Sequence, residues 1–184
     1  MKTGKFCNIS EDFVHGENFV CGDSVIIEKD VKVGNNVKMG NSVIIQEGTR
    51  IGDNAAIEHF VLLKASTKVG DNVFIDSYVK TSGHNTIGNN VTLRFNSTIA
   101  REVTVEDGCY ISPNVMTIYV KHTGEKMGGT VIGANTFVGT NVVLGPAVKI
   151  APNSVIGAMA YVSQDCTEPG MYVGIPARKK KTKL

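Results

Sequence analysis

The chain has 184 residues, 20% charged and 42% apolar, enough for one domain with a sizeable core and too mixed for a disordered tail or a membrane-embedded protein. Lys and Arg outnumber Asp and Glu by 19 to 17, but five of the positives lie in the C-terminal RKKKTK stretch; the remainder of the chain is net acidic, which argues against nucleic acid as a partner. No apolar run reaches the roughly 18 residues of a membrane-spanning helix and MKTGKFCNIS lacks the apolar core of a signal peptide, so a cytoplasmic protein with no membrane partner is expected.

From the N-terminus the sequence repeats every six residues. Stepping from Ile9 by sixes to Ile111 gives 18 positions, and 15 of them are Ile, Leu, Val or Met, where composition alone would supply about five. The residue four places after each is apolar or small, from Phe13 through Val31 and Val61 to Val115, with Asn85 the strongly polar exception. A slower period of 18 carries the triplets Gly16-Glu17-Asn18, Gly34-Asn35-Asn36, Gly52-Asp53-Asn54, Gly70-Asp71-Asn72 and Gly88-Asn89-Asn90. Gly and Asn tolerate the left-handed backbone of a tight corner, so a corner that returns after three hexads describes a three-sided coil. Stacked coils must pair in parallel at about 4.8 Å and bury the aliphatic ladder along the axis. The expected fold is all-β: a triangular prism of parallel β-helix, one domain over 1–184, with coils over about 9–116 and 132–162.

The ladder holds to Val115 and resumes at Ile132, Val138, Leu144, Ile150 and Ile156, which predicts an extruded loop of 15 residues over 117–131. Loops thrust from a rigid scaffold are where catalytic groups concentrate. This one carries Tyr119 and His122, with Gly124, Gly128 and Gly129 to permit sharp turns. An imidazole is matched to proton removal near neutral pH, so His122 is a candidate general base. A second candidate is His84, with Glu102 one coil above it as an orienting carboxylate. Asn85 should point inward with Thr67 as its partner, while Asn96 and Asn114 stack beside Tyr78, where they can hydrogen-bond a polar acceptor. His15 and His59 lack such company. His59 and His84 are not separated by a multiple of 18, and no H-x4-H pair exists, so no metal is expected. Cys7, Cys21, Cys109 and Cys166 form no C-x-x-C pair and read as reduced thiols. Residues 163–184 read as a tail.

The repeat resembles the hexapeptide-repeat family, which implies a left-handed β-helix and, for most members, an acyl-CoA-dependent acyltransferase working as a homotrimer. Pro113-Asn114-Val115 followed by Ile118-Tyr119 and His122 is similar to the galactoside, maltose and streptogramin O-acetyltransferase branch, where a loop delivers the catalytic His; here Thr-Gly-Glu-Lys follows that His in place of a Pro. The stretch from Ile132 to Val162, then Pro169-Gly170 and Gly174-Ile175-Pro176-Ala177-Arg178, also looks like sugar-nucleotide N-acetyltransferases of surface-polysaccharide and lipopolysaccharide pathways. The resemblance implies acetyl-CoA as co-substrate, with pantetheine against Gly139, Thr140, Gly157 and Ala158, and Arg178, Lys179, Lys180, Lys181 and Lys183 near its phosphates. The small residues Gly133, Gly139, Gly145, Ala151 and Gly157 would let that arm approach the backbone. The implied acceptor is an amino or hydroxyl group of a sugar, attached to a nucleotide, with Asn85, Asn96, Asn114 and Tyr119 as its contacts. A non-catalytic β-helix scaffold and a zinc enzyme like the γ-carbonic anhydrases are the alternatives in other classes.

Overall fold

The computed structural model describes residues 1–180; Lys181 and Lys183 lie outside the described residues. Each hexad contributes a strand of two residues, the first facing out and the second in, because successive side chains of a strand point to opposite sides. Lys32–Val33 and Thr92–Leu93 show the pattern, with Val33 and Leu93 buried. Every third strand joins the same sheet, and so there are three faces. The first face runs from Asn8–Ile9 to Tyr161–Val162 in nine strands, and the second from Val14–His15 to Lys149–Ile150 in eight. The third runs from Val20–Cys21 to Met171–Val173, closed by Arg178–Lys179 to make ten strands. All pairings but that last one are parallel, with partners 18 apart in the lower coils, as in Ile27↔Ile45.

The core is one column of aliphatic side chains. Ile27, Ile45, Leu63, Ile99 and Leu144 stack up the first face and are almost completely buried. Burial of each such side chain contributes about 1.5–3 kcal/mol, and backbone hydrogen bonds such as Ile26 N–H to Val43 C=O (2.9 Å) tie each coil to the next. The left-handed corner conformation occurs at all three edges. Asn18, Asn36, Asn54, Asn72 and Asn90 hold it between the second and third faces, in a ladder of Nδ2-to-Oδ1 hydrogen bonds at the lower coils. Ser66, His84 and Glu102 hold it between the first and second faces, and Phe60, Tyr78, Asn96 and Asn114 between the third and first. By their corner residues these are the asparagine, histidine and aromatic edges.

Three expectations change. Thr117 is buried in register, beneath Leu144 on the first face, and pairings across the loop step by 27 where 18 is the rule, as in Val105↔Ile132. The net insertion is therefore nine residues, not the 15 expected over 117–131, because a Thr occupies the aliphatic slot and hides the rung. The tail also belongs partly to the solenoid. Cys166 bridges Ile150, Met171–Val173 pairs with Val155–Ile156, and Arg178–Lys179 folds back antiparallel. At the other end, Lys2 and Gly4 already hydrogen-bond Phe19 and Cys21 carbonyls, below the expected start at residue 9.

Candidate active site

The segment after Thr117 leaves the prism at the histidine edge, directly above Glu102, and forms a short hairpin arm. Val120 bridges Lys126 antiparallel, Met127 N–H donates to Tyr119 C=O at 3.2 Å, and Gly124 N–H donates to Lys121 C=O at 2.8 Å. Gly124 and Gly128 have φ of +83°, the conformation that glycine adopts without a Cβ penalty. Gly129 is needed for another reason: a Cβ there would lie 1.6 Å from the Glu102 carbonyl oxygen. The arm is thus seated backbone against backbone on the coil below. Its upper side meets later coils, and a cleft of about 490 Å³ lies between them, lined by Ile118, Lys121, His122, Pro146, Tyr161 and Ser163. His122 is exposed at this cleft.

Tyr119 sits at the root of the arm, half-buried and packed against the core. Burial raises its phenol above the ordinary value, and the adjacent Glu102 carboxylate adds to that, partly opposed by Arg101. Glu102 is engaged there: Arg101 Nε lies 3.6 Å from its Oε1. His84 is exposed one coil below, on the same edge, but no hydrogen bond joins it to Glu102 among the described residues, contrary to the expected orienting pair. The carboxylate turns to the cation and phenol on its other side, neighbours that an 18-residue offset does not reveal.

Asn85 is 1% exposed, inside the prism beneath this edge. Its Nδ2 donates to the Ala100 carbonyl and its Oδ1 has no partner, while Thr67 bonds Thr81 (3.1 Å) and the Lys64 carbonyl (2.6 Å) in place of Asn85. From that position Asn85 has no access to a bound acceptor.

The remaining candidates lie on a different edge. Asn96 donates to Asn114 at 3.0 Å on the aromatic edge, where both are exposed. Gly139–Thr140 and Gly157–Ala158 precede the corner residues Asn141 and Met159 of the same edge, one and two coils higher. The glycines have a packing role of their own: a Cβ at Gly139 would sit 2.6 Å from Ala158 N, as one at Gly52 would sit 2.7 Å from the Gly70 carbonyl carbon. Their recurrence follows from coil stacking in both halves of the chain and needs no ligand. Arg178 and Lys179 are exposed on the closing strand, and Lys179 Nζ is already paired to Glu168 Oε2 at 2.7 Å. Among the described residues no group of three or more His, Cys, Asp or Glu side chains is placed to hold a metal ion, and no helix is long and apolar enough to cross a membrane.

Residues 20–127 match the family model described as GMPPB C-terminal domain, and residues 129–164 match Bacterial transferase hexapeptide (six repeats). Galactoside O-acetyltransferase of Escherichia coli (strain K12) is 36% identical over 95 residues, 46% of this chain and 47% of that protein. The match thus spans about half the length of that relative. Among solved structures, a galactoside acetyltransferase in complex with coenzyme A is 34% identical with a TM-score of 0.57, over 64% of each chain. UDP-N-acetylglucosamine acyltransferase from Campylobacter jejuni superposes with a TM-score of 0.83 over 95% of this chain and 72% of its own, at 21% identity, a likeness of fold.

Proposed function

Since the chain belongs to the hexapeptide-repeat family of acyltransferases, with its larger part matching the GMPPB C-terminal domain model, we propose that it transfers an acetyl group from acetyl-CoA to an amino or hydroxyl group of a nucleotide-linked sugar, in surface-polysaccharide or lipopolysaccharide synthesis. The observation that carries this reading is the arm: a histidine on a seated hairpin at a cleft, in the coil whose aromatic edge bears Asn114. The likeness to a galactoside acetyltransferase holding coenzyme A supports acetyl-CoA as the donor.

His122 stands on the histidine edge, whereas Asn96, Asn114 and the predicted pantetheine contacts stand on the aromatic edge of the same prism. One chain therefore does not bring its base to its own carrier slot. A rotation about an axis parallel to the solenoid keeps every residue at its height, so the aromatic edge of one copy can meet the arm of another at matching coils. A homotrimer completes three such sites. In each, His122 takes the proton as the acceptor oxygen or nitrogen attacks the thioester carbonyl carbon; the C–S bond breaks, and the proton passes to the departing thiolate to give CoA. His84, two coils below the arm on the same edge, is the alternative base.

With a hydroxyl acceptor, His122→Ala should lower kcat by about 10²–10⁴-fold with CoA affinity unchanged. Full activity in that variant, with loss in His84→Ala, would transfer the role to His84. Failure of CoA to raise the melting temperature of the wild-type protein would favour a scaffold and remove the transferase reading.

A further inference from the structure

Along the aromatic edge the corner residues are Phe6, Ser24, Ser42, Phe60, Tyr78, Asn96, Asn114, Asn141 and Met159, all with positive φ. A left-handed conformation costs about 1–2 kcal/mol for an ordinary residue, and Asn is among the few that adopt it readily. Phe60 (φ 58°) and Tyr78 (φ 64°) are bulky rings in consecutive coils where the asparagine edge uses Asn54 and Asn72. Their side chains do not offset this strain by entering the core. Phe60 is 48% exposed, Tyr78 42%, and Phe95, beside Asn96, 45%. The rings meet one another outside the prism: Phe60 and Tyr78 are stacked at 5.0 Å and 16°, and Tyr78 and Phe95 meet edge to face at 5.5 Å. The corner conformation is common to all three edges; what sets this stretch apart is that rings stand at consecutive corners and pack on one another in the open.

The patch is bounded, with Ser42 below and the Asn96–Asn114 pair above. Beside it stands Arg94, its Nε on Asp76 Oδ2 and its Nη1 on the Tyr110 hydroxyl, each at 3.0 Å, with Nη2 free of hydrogen bonds among the described residues. Asp76 and Tyr110 fix the plane of that guanidinium and hold it protonated. Tyr78 lies two coils below Asn114, about 10 Å at the β spacing, and Phe60 about 14 Å. Rings, a cation and amides thus follow one another over the length of a base, a diphosphate and a hexose.

We propose that Phe60, Tyr78 and Phe95 form a stacking platform for the base of a nucleoside diphosphate, with Arg94 toward its phosphates and the attached sugar at Asn96 and Asn114. This assignment rests on the transferase reading for what happens to the sugar, but nucleotide binding can be measured without it. A lipid surface would need apolar groups beyond three rings, and Asn96 and Ser42 end the patch on both sides.

The test uses the full chain, with uridine and thymidine diphosphates as probes, followed by calorimetry and by saturation transfer from protein to ligand protons. Base protons should receive more saturation than ribose protons. Tyr78→Asn places at this corner the residue that the backbone favours, so the melting temperature should hold or rise, while diphosphate affinity falls on the order of tenfold. A purely structural ring would lower stability and leave affinity unchanged. Coenzyme A affinity should be the same in both proteins; an equal loss for CoA would overturn the proposal, by giving the ring to the adenine of the donor. Dissociation of an oligomer by Tyr78→Asn in sedimentation velocity would overturn it in favour of a contact between copies. Absence of diphosphate binding, with CoA bound and a free sugar acetylated, would sink the platform and leave the transferase standing. Diphosphate binding without CoA binding would do the reverse.

Discussion

Gly129→Ala tests whether the seat of the arm sets the position of His122. The added Cβ would lie 1.6 Å from the Glu102 carbonyl oxygen, 2.1 Å from its carbon and 2.8 Å from Val103 N, whereas ordinary contact begins near 3.4 Å. All three atoms are backbone of a coil locked into the solenoid, so the arm must retreat by about 1.8 Å. Misplacing a catalytic group by about 1 Å can cost roughly 100-fold, so kcat for acetyl transfer should fall by at least about that factor. The donor contacts lie on another edge, and CoA affinity should therefore stay at its wild-type value. The assay is thiol release from acetyl-CoA at saturating acceptor, with amide hydrogen exchange at Lys121 and Met127 as a readout of the arm itself. Gly124→Ala is the control: nothing lies within 4 Å of its Cβ, and only the positive φ opposes it, at about 1–2 kcal/mol confined to the tip. Wild-type kcat and unchanged arm exchange in Gly129→Ala would refute the seating argument.

Asn85→Val should stabilise the protein. It removes a buried Oδ1 that has no partner, at a site where Val103 fills the same column one coil above, and the gain of about 1 kcal/mol should raise the melting temperature by about 2–4 °C. A fall of several degrees would show that Asn85 is better satisfied than its contacts indicate. With a thiol reagent at pH 8, the native chain should release one equivalent, from half-buried Cys7. Burial pushes Cys21, Cys109 and Cys166 up to about 11, with Cys7 adding to the effect at Cys21, and these three should react only on unfolding. The closing hairpin is held by backbone pairing, to which the exposed Glu168–Lys179 pair adds a small contribution. Its hydrogen bond to Lys179 lowers the Glu168 pKa, so that contribution is complete above the ordinary carboxylate range and disappears as pH falls through the lowered value. Glu168 raises the Lys179 pKa, so its contribution disappears as pH rises through the raised value. Exchange at Lys180 N–H, bonded to the Met171 carbonyl, should accelerate relative to wild type in Glu168→Gln between those limits and not below them.

Much of the architecture could be read from local chemistry alone. Each hexad repeats one small decision, an inward aliphatic, an outward residue and a left-handed corner, so the six-residue and 18-residue periods determine faces, core and stacking without reference to distant contacts. The same chemistry located the departure of the chain before Ile132, because a break in a strict period is visible in one dimension. Its length was misjudged because Thr117, hydrogen-bonded to the Ala100 amide, occupies an aliphatic slot. Three matters needed the tertiary structure. Glu102 chose Arg101 and Tyr119 over His84, since a side chain on a corner can turn to either neighbour and the offset is silent on which. Gly129 proved to be a seat, because only coordinates reveal how closely two backbones approach. His122 and the Asn96–Asn114 pair came to lie on different edges of one prism: a period of six places a residue on a face, but the register of the arm against the 18-residue turn decides which edge it leaves.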